Sequence, residues 1–301
     1  MEKYDHMEQA LSGAGIPYLC GEPLSRHTTF RIGGPARVLC LPQDEAQLIQ
    51  AVGLCRQAGQ RLYFLGNGSN VLFADEGYDG VVIKVASALT DIRVDGTTVE
   101  AGAGALLIKV CIAARDAGLA GLEFAYGIPG MVGGAVYMNA GAYGGEMRDV
   151  LQSARFLDEQ GVVRELSAHE LLLGYRTSVF EGKPWCILGA RFALKKGDQA
   201  QIAHAMEDYM QRRRAKQPLD LPSAGSTFKR PAGAFAGALI EQCGLRGFRV
   251  GDAAISEKHC GFVVNLGQAS CADVIALTDQ VSRIVKEKTG YTLEKEIRVV
   301  R

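Results

Sequence analysis

Apolar positions recur along this chain with two periods, and their alternation predicts a mixed fold. Leu48, Ile49, Val52 and Cys55 stand at helical spacing over 44–59. Asp44 can cap that run, Gln47 sits where a capping box needs it, and Gly59 ends it. Leu106, Leu107, Val110 and Ala114 predict a second helix over 105–117, stopped by Gly118. Ile202, Met206, Tyr209 and Met210 predict a third over 199–214, ending in three arginines that complement the helix dipole. A helix over 271–288 has Ser270 and Asp273 at its start and Gly290 at its stop. A shorter one is predicted over 234–243, and 1–20 reads as a short helix and linker.

The shorter apolar runs 36–41, 61–65, 81–85, 186–194, 253–256, 261–266 and 293–299 read as strands. Residues 92–100 read as a hairpin turning at Asp95-Gly96, and 154–166 as another turning near 158–161. Residues 218–226, after Lys216-Gln217-Pro218, read as a loop at a domain boundary. The expected domains are 1–88, 89–215 and 216–301.

Composition narrows the picture. Apolar residues make 48% of the 301, charged ones 22%, and the net charge is +0, so no field steers the chain toward nucleic acid or acidic lipid. No apolar run approaches the roughly 18 residues of a membrane span, and the polar start does not read as a signal peptide. The eight cysteines show no metal or redox spacing, which fits a reducing, cytoplasmic setting. The five histidines show no metal spacing either, and no Gly-x-Ser-x-Gly elbow is present, so no metal is expected and hydrolase readings rank low.

The densest signal is 127–146, GIPGMVGGAVYMNAGAYGGE, with seven glycines in twenty positions. Main chain without Cβ can press close to a flat or anionic ligand and aim its N–H groups at it. Gly66-Asn67-Gly68-Ser69-Asn70, directly after a predicted strand, could cradle a pyrophosphate, though a plain turn explains it equally well. Ala101-Gly102-Ala103-Gly104 lacks the third glycine and the acidic ribose ligand of a dinucleotide fingerprint, so it is assigned to packing. Arg176 in YRTS lies among Tyr175, Phe180 and Trp185 in sequence, which suggests a partly buried, paired guanidinium. Ser226 in AGSTFKRP stands beside two cations, Lys229 and Arg230, and could hold an anion or simply cap a turn. On a strand, Glu294, Glu296 and Arg298 would share a face.

In order, TTFRIGGPA, LGNGSNVL, GLEFAYGIPGMVGGAVYMNAGAYGGE, YRTSVF, AGSTFKRP and LEKEIRVV resemble the UDP-N-acetylenolpyruvoylglucosamine reductase family from about Thr28 to the end. The resemblance implies an α+β protein built from α/β subdomains. Two of these clamp FAD in the fold shared with vanillyl-alcohol oxidase, and a C-terminal α+β domain binds substrate. It implies that NADPH reduces non-covalent FAD by hydride transfer and that UDP-N-acetylglucosamine enolpyruvate then receives the hydride to give UDP-N-acetylmuramate for the bacterial cell wall. Gly66, Asn67, Gly68, Ser69 and Asn70 would hold the pyrophosphate, and Gly127, Ile128, Pro129, Gly133, Gly134, Asn139, Ala140 and Gly141 would line the flavin. Arg176 would stabilise enolate charge, Ser226 would give the proton, and Glu296 would complete the catalytic set. An ionised Glu296 beside an enolate would repel it, so it is expected to pair with Arg176 or stay protonated by burial.

Tyr175, Lys216, Gly225, Lys229 and Arg230 would meet substrate, with Arg230 standing where some members carry Asn. The short span between Arg176 and Ser226 matches the compact subclass without an extra tyrosine loop. A monomer is expected, and the NADPH preference is implied by the resemblance alone. Two other readings are an FAD-linked oxidase or dehydrogenase of the same fold acting on a small alcohol or sugar, and a non-catalytic nucleotide-binding module. No histidine lies in either glycine-rich bend to attach FAD covalently, as many such oxidases do.

Overall fold

The computed structural model describes residues 2–301, with side chains from His6 onward. Contacts divide the chain into two compact units. The first comprises residues 1–20, 38–67 and 80–213, the second 21–37, 68–79 and 214–301.

In the first unit, α1 (Glu2–Gly13) and α2 (Glu45–Gln57) flank a sheet of order Tyr18–Pro23, Pro35–Cys40, Tyr78–Lys84, Leu62–Leu65. The α2 start is as the sequence predicts, with the Asp44 carboxylate accepting from Gln47 N at 2.8 Å. Leu62–Leu65 runs parallel to Tyr78–Lys84 and ends at Gly66, so the Gly66–Asn70 bend lies at a strand's carboxyl end, where open α/β sheets bind ligands. The expected linker after α1 is in part the strand Tyr18–Pro23. None of its residues is buried, so it carries no alternating apolar signal.

The other sheet of this unit is antiparallel, in the order Val163–Ser167, Leu151–Leu157, Cys186–Ala193, Thr98–Gly102, Ile92–Asp95. The helices α3 (Leu107–Asp116) and α4 (Val132–Tyr137) bury Leu107, Val110, Val132 and Val136 in the common core with Val99, Phe156, Leu188 and Phe192. At Gly102 and Gly104 a Cβ would come within 2.4 and 2.6 Å of the Leu89 and Val85 carbonyl oxygens, so these glycines serve main-chain packing. The last helix, α5 (Gln199–Lys216), buries Ile202 and Met206, while Tyr209 and Met210 are half-buried.

The second unit has its own core. A sheet of order Ser223–Ser226, Phe262–Asn265, Ala253–Ile255, Arg249–Val250 packs with α6 (Ala236–Gln242) and α7 (Cys271–Thr289) through Ile240, Ile255, Val263, Val274, Leu277 and Val281. The Ser270–Asp273 capping box and Gly290 at φ 78° bound α7 as the sequence implies. The Asp75 carboxylate adds two acceptors at the same end, for Cys271 N at 2.7 Å and Ala272 N at 3.0 Å.

Two expectations need correcting in this unit. The loop expected over 218–226 ends in the strand Ser223–Ser226, drawn into the sheet by pairing with Phe262–Asn265. The strand expected over 293–299 is only Arg298–Val300, which pairs in parallel with Val71–Phe73, a strand the sequence did not reveal. Glu294 and Glu296 precede it, in a segment tied to Thr227 and Lys229, so they share no regular strand face with Arg298.

Candidate active site

Within the first unit the two small-residue bends meet. Asn67 Nδ2 donates to the Pro129 carbonyl at 3.1 Å, and a Cβ at Gly66 would lie in ordinary contact with Met131. The bend at 127–134 stays put because α4 begins against the next sheet. Val132 N donates to Ala105 O at 3.0 Å and Gly133 N to Ala103 O at 2.8 Å. Gly133 is therefore needed for packing, since a Cβ there would be 3.0 Å from the Ala103 side chain. Gly134 is exposed with open space where a Cβ would be, Pro129 is exposed, and Gly66, Asn67, Gly127 and Ile128 are half-buried. The main-chain N–H groups of Asn67, Gly127 and Gly134 donate to no acceptor among the described residues. Those of Gly68 and Ser69, in the second unit, also donate to none. Oriented N–H groups without protein acceptors fit an anionic part of a ligand, and the open, Cβ-free main chain at Gly134 leaves room for a planar part.

The wall continues through Ala140 into a tight hairpin, Gly141–Ala142 against Gly145–Glu146. A Cβ on Gly141 would sit 2.7 Å from the Gly145 oxygen, so only glycine fits there. Tyr143, at φ 52°, stacks on Tyr209 of α5 with centroids 4.6 Å apart. Arg213 lies against Gly127, where a Cβ would be 3.0 Å from its side chain, and burial lowers its pKa. Tyr143 belongs to the glycine-rich stretch singled out in the sequence, whereas Tyr209 and Arg213 did not stand out there as part of it.

Arg176 is also in this unit. It occupies a two-residue turn in which Gly174 and Thr177 pair, with Gly174 N donating to Thr177 O at 3.1 Å. Its backbone is left-handed at φ 59°, a conformation costing roughly 1–2 kcal/mol for a residue with a Cβ. The guanidinium Nη2 donates to Gly141 O at 3.3 Å and lies 5.4 Å from the ring centroid of the half-exposed Tyr175. Arg176 thus reaches the wall's main chain. Phe180 and Trp185, its sequence neighbours, pack instead on Phe156. The buried Ser178 hydroxyl fixes the far side of the turn by donating to Tyr137 O at 2.8 Å.

Asn139, expected to line the flavin, turns its side chain into the protein. Its side chain is fully buried and engaged with protein. Nδ2 donates to Glu146 Oε2 at 2.8 Å and to Gly174 O at 2.9 Å, and Oδ1 accepts from Arg148 N at 2.9 Å.

The second unit gathers the other half of the candidate set. Thr227, next to the exposed Ser226, is locked on three sides. Its N–H donates to Gly261 O at 2.9 Å, its hydroxyl oxygen accepts from Val263 N at 3.0 Å, and its carbonyl accepts from Glu296 N at 2.8 Å. Asn70, at the end of the second glycine-rich bend, is tied to the same place, since Asn70 Nδ2 donates to Glu296 O at 3.3 Å and Arg298 N to Asn70 O at 3.1 Å. Gly225, at φ 77°, lies with its Cβ position 4.0 Å from Ser69 O. Ser69, Asn70, Gly225, Ser226 and half-buried Glu296 are therefore held together by main chain.

Lys229 Nζ is 2.5 Å from Glu294 Oε1, and the Arg230 guanidinium lies 3.9 Å over the exposed Phe235 ring. Lys216 is exposed at the end of α5. The TTFRIGG stretch, which carried no predicted role, turns out to support this cluster. Thr29 N donates to Gly68 O at 3.1 Å and Thr29 Oγ1 to Ser223 O at 2.7 Å.

Residues 36–167 match the model of an FAD binding domain, and residues 217–300 that of the UDP-N-acetylenolpyruvoylglucosamine reductase C-terminal domain. The chain is similar to UDP-N-acetylenolpyruvoylglucosamine reductases of Lachnoclostridium phytofermentans, at 48% identity over 93% of this chain and 92% of the relative. It is 47% identical to that of Caldanaerobacter subterraneus subsp. tengcongensis over the same shares. The crystal structure of UDP-N-acetylenolpyruvylglucosamine reductase from Thermus caldophilus superposes with a TM-score of 0.80 at 36% identity, over 95% of this chain and 99% of that one.

Proposed function

This chain belongs to the UDP-N-acetylenolpyruvoylglucosamine reductase family, and from that premise we propose which of its residues do the family's work. The fold is the family's: an FAD-binding α+β part and a C-terminal substrate-binding part. The activity is the NADPH-dependent reduction of UDP-N-acetylglucosamine enolpyruvate to UDP-N-acetylmuramate, a step in peptidoglycan precursor synthesis. The oxidase alternative is not favoured, because the likeness extends through the reductase C-terminal domain.

FAD fits the residues present: N–H groups without protein acceptors follow Gly66, and main chain without a Cβ, with open space beside it, stands at Gly134. When bound, FAD supplies a two-electron carrier between NADPH and the substrate's vinyl group. The chain's own residues do the rest. Gly66–Asn70 present N–H groups to the pyrophosphate, and Gly127–Pro129, Gly133–Gly134 and Ala140–Gly141 give the flavin a close main-chain wall. The Arg176 guanidinium, anchored on Gly141 O, orients the enolpyruvyl carboxylate and stabilises charge that develops on it, where preorganised donors matter most.

Ser226 delivers the proton to the substrate's α-carbon. A hydroxyl is a weak acid, but it suffices for a strongly basic carbanion if held within about 3 Å. Glu296, fixed to Thr227 by its main chain, completes the set. Tyr175, Lys216, Gly225, Lys229 and Arg230 are assigned to the sugar nucleotide. Binding there requires Lys229 to exchange Glu294 for a substrate anion. Free thiols, all but Cys20 buried, support a cytoplasmic setting, and no helix among the described residues is long and apolar enough to cross a membrane.

The observation that carries the assignment of the flavin wall is the Asn67–Pro129 hydrogen bond, which unites two bends that lie 62 residues apart in the chain. The test is spectral. The purified protein is expected to be yellow, to bleach with NADPH and to recover its colour with the enolpyruvyl substrate under anaerobic conditions. Ser226→Ala should keep the bleaching and block the recovery. A colourless protein, or recovery with oxygen and a simple alcohol but never with the UDP-sugar, would overturn the reading.

A further inference from the structure

The side chain of Asn139, a residue expected to line the flavin, meets only protein. It is buried to 0% exposure, with a left-handed backbone at φ 42° that Asn and Asp tolerate better than other side chains. Both hydrogens of its amide are used, one on Glu146 and one on the carbonyl of Gly174. Glu146 is itself an anchored acceptor, 2.5 Å from Arg148 Nε and part of a capping box with Asp149. Gly174 is the first residue of the turn that carries Arg176. The amide is therefore a brace from the wall's rigid end to the Arg176 turn.

We propose that Asn139 is a positioning residue for Arg176: its side chain holds the strained 174–177 turn so that the guanidinium stays at Gly141, and it makes no contact with the cofactor. This rests on the proposed role of Arg176. The strain makes the brace necessary. A left-handed arginine persists only where its surroundings over-determine it. The turn is held by Gly174–Thr177 pairing at 3.1 and 3.4 Å, by Ser178 on Tyr137 O and by Asn139 on Gly174 O. Ser178 and Asn139 both join the turn to the 127–146 stretch, and Asn139 does so at Gly174, the turn's first residue, from a position two residues before Gly141. Loss of that link frees the guanidinium relative to the wall, and misplacement by 1 Å can lower a rate by about 10²-fold.

The test uses Asn139→Asp, which keeps shape and left-handed tolerance. It also keeps the oxygen that accepts from Arg148 N, and it removes the amide donor. In stopped flow, bleaching by NADPH should stay within about twofold of wild type, while recovery with substrate slows at least about tenfold, toward the loss expected of a displaced catalytic group. In the same experiment, Arg176→Ala combined with Asn139→Asp should be no slower than Arg176→Ala alone, because a residue acting through another loses its effect when that other is gone. Additive losses would overturn the proposal.

Adding Glu146→Gln to Asn139→Asp removes the carboxylate repulsion and should restore thermal stability without restoring recovery. Restored recovery would trace the effect to Glu146 instead, and would also overturn it. A readout independent of turnover is amide hydrogen exchange in the flavin-free protein. Exchange at 174–178 should quicken in Asn139→Asp, and unchanged exchange there would sink the brace. A wild type that never turns over the UDP-sugar would defeat the family assignment of Arg176, while the exchange result would still decide whether the brace exists.

Discussion

Gly68→Ala tests whether the bend proposed to hold the pyrophosphate needs glycine for its backbone or for its neighbours. Gly68 has φ 65°, and a Cβ built on it would stand 2.4 Å from the His27 carbonyl oxygen and 2.7 Å from Thr28 Cα, both main-chain atoms that cannot swing aside. The left-handed backbone alone costs roughly 1–2 kcal/mol with a Cβ. Moving 2.4 Å out to ordinary contact near 3.4 Å demands about 1 Å of backbone shift, and overpacking of this kind adds roughly 1–3 kcal/mol. The expected loss is therefore about 2–5 kcal/mol. Gly96→Ala is the control, because Gly96 has φ 58° with nothing within 4 Å of a Cβ. It should cost only the backbone part, reduced by about 0.4–1 kcal/mol through a stiffer unfolded chain. Urea unfolding of the two variants, side by side, measures the difference. The 1 Å shift also displaces the bend from its ligand, so Gly68→Ala should weaken FAD retention by about tenfold or more, equal to 1.4 kcal/mol, and Gly96→Ala should not. Equal stability losses with equal flavin content would refute the argument that main-chain crowding sets this position.

Four other outcomes follow from separate parts of the molecule. Thr29→Val leaves the Ser223 carbonyl without its 2.7 Å donor and should cost about 1–3 kcal/mol, with Thr29→Ser close to wild type in the same urea titration. Asp75→Ala removes two N-terminal acceptors of α7 and should cost about 0.5–2 kcal/mol, which an Asp75→Ala protein as stable as wild type in urea would contradict. Burial pushes the thiols of Cys40, Cys55, Cys111 and Cys186 up to about 12, so native protein at neutral pH should show one fast thiol, Cys20, with the rest reacting only in denaturant. Burial lowers the Lys84 amine to about 8 against an ordinary 10.5. Across that window the unfolded chain binds more protons, so the contribution of Lys84 to stability rises with pH, and Lys84→Met should flatten the wild-type rise between pH 8 and 10.5.

What the sequence revealed depends on how local the determining contacts are. Caps and stops were legible because a helix end is settled within four residues: Asp44 with Gln47, Ser270 with Asp273, and Gly290 at φ 78°. The parallel pair Val71–Phe73 and Arg298–Val300 was not, since each strand is three residues long and its partner lies more than two hundred residues away. The glycine run was legible as closely approaching main chain because backbone freedom is written in composition. Which polar side chains face a ligand is not written there. In a glycine-rich bend an asparagine reads as a ligand contact, yet Asn139 is buried because its amide meets a carbonyl 35 residues further on.

Thr29 is the same case over a longer span, its hydroxyl reaching a carbonyl 194 residues away. Both residues act on carbonyls of segments that carry a candidate catalytic group, Gly174 ahead of Arg176 and Ser223 ahead of Ser226. A carbonyl is present at every position, so sequence alone cannot mark such a partner. The strained turn it stabilises can be seen only in three dimensions.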